Sequence, residues 1–212
     1  MGNYQLENMS VSINGEMIFS TINLHMLNAQ IYGIVGRVNS GKTLLLNGLA
    51  NNLSTYQVKP IVKKTQQNFH AELVSTTNLL LKSTALNNMR ILSSREEKLS
   101  DDDVKWFLEK VGLSPQDSRN VETFSKMEKT LLAVALLLAE NPSVILFDEP
   151  YIGFEIAEIK QMNQLLKLLK DMNICLVVTS VNEALLQPIC QVIYRLNNGQ
   201  LQKNEAIYDK KE

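Results

Sequence analysis

One stretch of the chain decides its fold: Gly36-Arg37-Val38-Asn39-Ser40-Gly41-Lys42-Thr43, which has the pattern G-x-x-x-x-G-K-T. An apolar run at residues 31–35 precedes it, and a leucine-rich run with helical spacing follows it at residues 44–49. This order predicts a strand, a phosphate-binding loop and a helix. Glycines let the backbone bend so that successive N–H groups point at phosphate oxygens, and the helix N-terminus adds partial positive charge.

Within this phosphate loop, defined as residues 36–43, several residue types have an expected role. Lys42 supplies a positive charge for the terminal phosphates, and Thr43 supplies a hydroxyl for Mg²⁺. Asn39 stands where many such loops carry a further glycine, and asparagine tolerates positive φ. A chance glycine-rich turn is the alternative, and the flanking strand and helix argue against it. The predicted cofactor-binding residues here are Gly36, Arg37, Val38, Asn39, Ser40, Gly41, Lys42, Thr43 and Leu44.

A second, acidic motif ends another apolar run. Residues 145–147 lead to Asp148 and Glu149, which Pro150 follows. In phosphate-loop ATPases an Asp at such a strand end helps to hold Mg²⁺, and a Glu directly after it can polarise the attacking water. Two adjacent carboxylates are costly unless a cation is near. We therefore predict Thr43 and Asp148 as metal-binding residues and Glu149 as the catalytic residue, with a solvated turn as the alternative.

Composition narrows the function classes. The chain has 212 residues and a formal net charge of −1, which suits one domain and gives no indication of nucleic-acid binding. Its longest apolar run, residues 131–139, is far shorter than the roughly 20 residues that a membrane-spanning helix needs. No secretory leader pattern opens the chain, and Cys175 and Cys190 lie in apolar contexts typical of buried thiols. We expect a cytosolic protein whose membrane role comes through a partner.

The order of predicted elements indicates an α/β fold with a mostly parallel sheet. Residues 4–28 predict short antiparallel strands, and residues 83–142 show helical patterns without strands, which predicts an inserted helical lobe. The phosphate-loop helix is expected to end near Leu53. Further strands are predicted at residues 58–62, as an edge strand interrupted by Pro60, and at 71–74, 143–147 and 174–178, with a final hairpin at Asn198-Gly199.

Taken together, these motifs resemble the ATP-binding subunit of ABC transporters, above all its drug- and peptide-export branch. The resemblance covers nearly all of the chain, from Glu7-Asn8-Met9-Ser10 through the phosphate loop to Asp148-Glu149-Pro150 and Asn198-Gly199-Gln200. It implies a single ABC-type ATP-binding domain, with a P-loop NTPase core at about 1–82 and 143–212 and a helical lobe at about 83–142. It also implies ATP and Mg²⁺ as cofactors.

The resemblance further implies partners. Family members dimerise head to tail, so that ATP lies between one subunit's phosphate loop and the other's signature segment, and closure and hydrolysis drive a membrane permease. This chain would then form a homodimer or heterodimer, bind a transmembrane permease and sit peripherally at the inner face of the cell membrane. The surface near residues 76–88 would contact the permease. No nucleic acid and no membrane span of its own are expected.

Five positions depart from the family pattern. The signature segment, approximately L-S-G-G-Q or S-K-G-M-K, is Phe124-Ser125-Lys126-Met127-Glu128-Lys129 here. Ser125 is kept for γ-phosphate contact, whereas Met127 replaces the glycine and Glu128 adds negative charge. The other departures are Val181 at the switch histidine, Thr76 at a glutamine, Ile13 at the adenine-stacking aromatic and Glu155 at a loop aspartate. The two histidines, His25 and His70, are interpreted as ordinary non-catalytic residues.

These departures predict a chain that binds Mg-ATP and hydrolyses it weakly. Ile13 can pack on adenine but cannot stack as an aromatic would. Loss of a catalytic γ-phosphate contact costs on the order of 10²–10³ in rate, so Val181 predicts slow hydrolysis in the site built on this chain's own phosphate loop. A side chain at Met127 is expected to obstruct phosphate approach in any site that borrows this signature segment. The main hypothesis is an export subunit for peptide, drug or lipid-like cargo.

Three other functions stay open. One is a non-hydrolysing regulatory or helper subunit in a heterodimer, and another is a soluble ABC-type switch acting in translation or DNA repair. Such switches usually carry two ATPase units, long coiled coils or basic patches. The third is a nucleotide kinase, which needs an arginine-rich lid and lacks the Asp-Glu-Pro strand end. The arginines are few: Arg37, Arg90, Arg95, Arg119 and Arg195.

Overall fold

The structure is a computed structural model that describes residues 3–13, 16–50, 58–59, 70–93 and 99–203. The chain groups into two compact units, residues 1–73 with 143–212, and residues 74–142. In chain order its elements are β1 (Asn3–Ile13), β2 (Glu16–Leu27), β3 (Ile31–Val35), α1 (Lys42–Leu49), β4 (Val58–Lys59), β5 (Ala71–Leu73), α2 (Ala85–Leu92), α3 (Asp101–Val111), α4 (Lys126–Ala139), β6 (Val144–Phe147), α5 (Ile156–Asp171), β7 (Cys175–Ser180), α6 (Glu183–Leu186), β8 (Val192–Asn197) and β9 (Gln200–Lys203).

A six-stranded sheet forms the centre of the first unit. Its strand order is β5-β6-β7-β3-β8-β9. Among the described strands of this sheet, only β9 runs antiparallel to its neighbour. Every residue of β3, β6 and β7 is buried, as expected for parallel strands covered on both faces. The predicted α/β fold with a mostly parallel sheet is confirmed.

A second sheet contains the N-terminal strands in the order β2-β1-β4. β1 and β2 pair antiparallel from Asn3 opposite Leu27 to Ile13 opposite Glu16, with irregular register between them. The prediction of short strands was wrong, because each strand runs for 11 or 12 residues. β4 lies at the sheet edge, as predicted. The helix α1 ends at Leu49, earlier than the expected end near Leu53. The rest of the predicted strand at 58–62 lies outside the described residues.

The core of this unit fills the space between the two sheets and α1. Along β2, buried and exposed residues alternate strictly from Ile22 to Met26, which is the pattern of a half-buried strand. Phe19 and Ile22 are fully buried and belong to one cluster with Leu45 and Leu46 of α1. This packing anchors α1, whose first residues are the last two of the phosphate loop. It therefore fixes the C-terminal end of the loop.

The second unit, residues 74–142, is helical. Ser100 and Asp103 form a capping box at the start of α3, and Gly112 ends that helix with φ of 90°. Ser125 and Glu128 form a second capping box at the start of α4. The unit also includes residues 74–82, since the N–H groups of Val121 and Glu122 donate to backbone oxygens at 83 and 81.

Two further expectations concern the membrane and the cysteines. None of the helices in the described ranges is both long and apolar enough to cross a bilayer. Cys175 and Cys190 are free and buried, as predicted. Burial raises the pKa of the Cys175 thiol to about 12 and raises the pKa of Cys190 as well. Both groups are therefore uncharged packing residues at neutral pH.

Candidate functional site

The predicted site residues of the first unit meet at one edge of the parallel sheet. β6, β7 and β3 are consecutive neighbours in the sheet, so their carboxyl ends lie side by side. The phosphate loop follows β3, Asp148 and Glu149 follow β6, and Val181 follows β7. The N–H of Gly36 donates to the backbone oxygen of Ser180 at 3.3 Å. This bond ties the start of the loop to the end of β7.

The loop needs glycine at two positions. A Cβ on Gly36 would lie 2.4 Å from Oγ of Ser40 and 2.8 Å from the backbone oxygen of Leu196. Gly41 has φ of +98°, and a Cβ there would meet the ring of Phe19 at 2.7 Å. Asn39 adopts φ of 62°, which confirms that asparagine serves where a glycine was expected. The loop is therefore a closely fitted backbone cradle.

Lys42 is held more firmly than a free charge would be. Its side chain is only 6% exposed, and its Nζ donates to the backbone oxygens of Gly36 at 2.7 Å and Arg37 at 2.9 Å. It also forms an ion pair with Oε1 of Glu149 at 3.1 Å. Two of the three ammonium protons are used in the hydrogen bonds to the loop, whereas the contact with Oε1 of Glu149 is an ion pair without hydrogen-bond geometry among the described residues. Lys42 therefore joins the phosphate loop to the acidic strand end.

The two predicted metal ligands are in direct contact. The hydroxyl of Thr43 donates to Oδ2 of Asp148 at 2.5 Å. The other carboxylate oxygen of Asp148, Oδ1, accepts a hydrogen bond from the hydroxyl of Thr179 at 2.8 Å. The same hydroxyl of Thr179 accepts the N–H of Glu149 at 2.9 Å. A threonine on β7 therefore links both acidic residues.

Glu149 occupies an unusual backbone conformation. Its φ is 48°, in the left-handed region that non-glycine residues rarely adopt. Its Oε2 accepts the N–H of Val181 at 3.1 Å, while Oε1 faces Lys42. The side chain is 17% exposed. The carboxylate is thus held in the site by two contacts, one from the residue that follows β7 and one from the phosphate loop.

The site fits a phosphate group and a hard cation. Oγ of Ser40 is buried and has no hydrogen-bond partner in the described part of the chain. Such an orphaned hydroxyl in the phosphate loop suits an anion as its partner. Thr43 and Asp148 offer the oxygen ligands that Mg²⁺ prefers. Across the described ranges no cluster of three or more His, Cys, Asp or Glu residues could hold a metal by itself. A cation bound here would therefore need further ligands from a bound phosphate group, in addition to Thr43 and Asp148.

The remaining predicted residues of this unit lie around the loop and beyond it. Arg37 and Val38 are exposed at the loop surface, and Leu44 is half-buried against the core. Ile13 ends β1, but its side chain, and hence its predicted adenine contact, lies outside what the structure describes. Glu155 precedes α5, and its N–H donates to Oε2 of Glu158. In the second unit, Thr76 is exposed in a turn.

The signature segment, residues 124–129, is closed by its own side chains. Oγ of Ser125 accepts the N–H of Glu128 at 3.1 Å, and Oε2 of Glu128 accepts the N–H of Ser125 at 2.7 Å. The guanidinium of Arg119 donates to Oε1 of Glu128 at 2.6 Å and lies over the ring of Phe124. Glu128 therefore places a carboxylate at the helix N-terminus, where an anion is electrostatically favoured.

This arrangement sets the charge state of the segment. Partial burial raises the pKa of Glu128, but the hydrogen bonds from Arg119 and Ser125 outweigh it, so the pKa lies below its ordinary value. The pKa of Arg119 is raised by its hydrogen bonds to Asp117 and Glu128. The carboxylate and the guanidinium are both charged at neutral pH. Glu128 is thus a paired charge rather than the unpaired repulsive one that the sequence suggested.

The expected obstruction of a phosphate by Met127 stays a prediction. Its side chain is only 1% exposed, so it lies in the interior of the second unit. Helical spacing accounts for this, since Met127, Thr130, Leu131 and Val134 form one buried face of α4. The group that occupies the N-terminus of α4 is the carboxylate of Glu128 instead.

Two residues at these sites were not singled out from the sequence. Thr179 directly follows the strand predicted at residues 174–178 and was given no role, and Arg119 was named only as one of the few arginines. The signal for Thr179 was a hydroxyl at the end of a strand that neighbours the acidic strand, where polar groups converge. Arg119 had no comparable signal, because its two carboxylate partners are brought together by a turn at 114–119.

Comparisons with known proteins agree with this geometry. The chain matches the family model for "ABC transporter" over residues 19–152. The uncharacterized ABC transporter ATP-binding protein YybJ of Bacillus subtilis is 24% identical over 97% of each chain. The lantibiotic transport ATP-binding protein SrtF of Streptococcus pyogenes is 22% identical, over 83% of this chain and 79% of its own. The bacitracin transport ATP-binding protein BcrA of Enterococcus faecalis is 23% identical, over 93% of this chain and 67% of its own.

Solved structures show the same fold. The ADP conformation of MJ1267, an ATP-binding cassette of an ABC transporter, superposes with a TM-score of 0.79 at 17% identity, over 99% of this chain and 96% of its own. A nucleotide-free ATP-binding cassette from an ABC transporter gives a TM-score of 0.80 at 18% identity, over 98% and 94%.

Proposed function

Since the chain belongs to the ABC transporter family as an ATP-binding protein, we propose that it binds Mg-ATP at its phosphate loop and hydrolyses it slowly. It works as one ATP-binding subunit of a dimer that drives a transmembrane permease, peripherally at the inner face of the cell membrane. We propose a single ABC-type domain whose helical lobe is the unit of residues 74–142. Mg-ATP binding depends on residues that match the family pattern, whereas slow hydrolysis depends on a departure from it at Val181.

One observation carries the proposal of Mg-ATP binding: Lys42, Thr43, Asp148 and Glu149 lie together at the ends of β3 and β6. Lys42 pairs with Glu149, and Thr43 contacts Asp148. When ATP binds, the loop N–H groups and Lys42 would hold its phosphates, and Thr43 and Asp148 would hold Mg²⁺, which offsets the negative charge of the phosphates. Glu149 would orient and polarise the attacking water.

Slow hydrolysis is supported by what position 181 supplies. Val181 is 48% exposed and contributes only its backbone N–H, which donates to Glu149. A valine side chain can neither donate a hydrogen bond nor carry charge to a γ-phosphate. Because such a contact is worth on the order of 10²–10³ in rate, hydrolysis at this chain's own loop is expected to be slow by that factor.

A second candidate is a helper subunit that binds ATP without hydrolysing it, in a heterodimer. The observation that favours it is the paired charge at the signature segment. Glu128 uses the N–H of Ser125 and is held by Arg119, so a phosphate would have to displace a carboxylate to reach that N–H. A partner's nucleotide would find no free donor at Ser125. In a heterodimer the two defects of this chain would fall in different sites.

The cargo is proposed from relatives alone. SrtF and BcrA are named for lantibiotic and bacitracin transport, at 22% and 23% identity. These names favour export of a peptide-like molecule over other cargo.

The segment expected to meet the permease exposes an apolar side chain. Leu81 is 47% exposed there, which suits an apolar contact.

The direct test is nucleotide binding by the purified chain with and without the loop lysine. We expect the wild type to bind ATP in the presence of Mg²⁺ and Lys42→Ala to bind it at least about tenfold more weakly. Lys105→Ala, which removes an exposed lysine of α3, serves as the matched control and should bind normally. Equal binding by wild type and Lys42→Ala, or none by the wild type, would refute the proposal.

A further inference from the structure

A buried hydroxyl connects the two acidic residues of the site. Thr179 is 0% exposed, and it follows Val178, which lies opposite Phe147 in the parallel pairing of β7 with β6. Its Oγ1 therefore sits at the level where β6 ends and Asp148 and Glu149 begin. The hydroxyl lies 2.8 Å from Oδ1 of Asp148 and 2.9 Å from the backbone nitrogen of Glu149.

The direction of each hydrogen bond follows from the atoms involved. The backbone N–H of Glu149 can only donate, so Oγ1 of Thr179 accepts there. The hydroxyl has one proton, and its best acceptor is the carboxylate of Asp148, since the backbone oxygen of Phe147 is farther away at 3.5 Å. Thr179 thus uses its proton on one acidic residue and its lone pair on the other.

We infer that Thr179 is a positioning residue of the Mg-ATP site, which acts through Asp148 and Glu149 without touching the nucleotide. By holding Oδ1 of Asp148, it leaves Oδ2 directed at Thr43, which is the side where a cation would bind. By accepting the N–H of Glu149, it supports the left-handed backbone that aims this carboxylate at Lys42. The inference rests on the proposed function and names a residue that this function requires.

Valine and serine separate the role of the hydroxyl from that of packing. Thr179→Val keeps the branched shape that suits a buried strand and removes both hydrogen bonds. Thr179→Ser keeps the hydroxyl and removes only a methyl group. Partners that orient a metal ligand are typically worth about 10–100-fold in metal affinity. The hydroxyl should therefore matter for the Mg²⁺-dependent part of ATP binding, and the methyl group should not.

The experiment measures the dissociation constant for ATP in Mg²⁺ and again in EDTA, for wild type, Thr179→Val and Thr179→Ser. Thr130→Val is the matched control, because Thr130 is another buried threonine whose hydroxyl bonds only to the helix backbone at Lys126. Mg²⁺ increases the affinity for ATP by a certain factor, and we expect this factor to be about tenfold smaller in Thr179→Val than in the wild type. Binding in EDTA should be unchanged. Thr179→Ser and Thr130→Val should keep that gain.

Several results would overturn the inference. One is that Mg²⁺ increases the ATP affinity of Thr179→Val as much as that of the wild type. Another is that Thr130→Val loses as much of this increase as Thr179→Val does. The third is that the wild type binds ATP equally well in Mg²⁺ and in EDTA. If Thr179→Val does not fold, Thr179→Ala takes its place with the same outcomes. Absence of any ATP binding by the wild type would instead refute the proposed function itself, so the two failures are distinguishable.

Discussion

Nζ of Lys42 lies 3.1 Å from Oε1 of Glu149, so the loop lysine and the acidic residue expected to polarise water are joined as an ion pair. The pair is largely shielded from water, at 6% and 17% side-chain exposure. Lys42 also donates to two loop carbonyl oxygens. An incoming phosphate must therefore compete with Glu149 for this ammonium, and the carboxylate must give up its cation as the phosphates arrive.

Glu149→Gln should tighten ATP binding. The substitution removes a negative charge beside the phosphate site and frees Lys42 from its ion pair, which we expect to lower the dissociation constant on the order of tenfold. Titration with a fluorescent ATP analogue measures the change. Glu72→Gln is the control, because Glu72 pairs with His70 at the exposed edge strand β5. Unchanged or weaker binding by Glu149→Gln would mean that the ion pair does not oppose the nucleotide.

Val181→His should raise the rate of hydrolysis. Position 181 is 48% exposed, so an imidazole can be accommodated there without displacing the core. It would restore a side chain able to hydrogen-bond near Glu149, and we expect at least about a tenfold gain within the 10²–10³ that such contacts are worth. Steady-state phosphate release measures the gain, with Val181→Ala as the control. If the rates of both variants match the wild type, another residue limits hydrolysis.

Met127→Gly should destabilise the protein rather than open the signature segment. Removing this buried side chain should cost about 2–5 kcal/mol, as for other truncated core methionines, and glycine adds about 1 kcal/mol within a helix. Urea denaturation measures the loss. Lys167 is exposed in the interior of α5, so Lys167→Gly should show only the helix cost. Equal losses for the two variants would contradict the buried position of Met127.

Glu128 should make stability depend on acid pH. Its folded pKa lies below the ordinary 4.5, so its contribution is fully present above that value and is lost as the pH falls through the folded pKa. Glu128→Gln lacks this titration. Thermal unfolding from pH 7 to pH 3 should show a wild type that is more stable at neutral pH, with a difference that shrinks below about pH 4.5. A difference that stays constant over this range would rule out the ionised pair with Arg119.

The parts of the site that follow from local pattern were predictable from the sequence. The phosphate loop, the acidic strand end and the final hairpin each depend on short spacings, and Asn39 was expected to tolerate the positive φ that it adopts. The buried face of α4 was also present in the spacing of its apolar residues. The orientation of Met127 could therefore have been inferred from helical periodicity.

Contacts between distant segments could not be predicted in the same way. The ion pair of Lys42 with Glu149 and the bond of Thr179 to Asp148 depend on the order of strands in the sheet, which sequence spacing does not specify. The length of β1 and β2 was also missed, because their irregular register breaks the alternation that marks a strand. Arg119 meets Glu128 only because a turn returns the chain to the start of α4.

The most direct test of slow hydrolysis is the steady-state turnover of Mg-ATP by the purified chain over a range of protein concentrations, beside Glu149→Gln. ATP should bind, and turnover should stay at or below about 0.1 per second at every concentration, roughly 10² below that of a typical enzyme. Turnover that rises with concentration to about 10 per second and disappears in Glu149→Gln would contradict this account. Such a result would mean that two copies of this chain form a fully active pair, despite Val181 and Glu128.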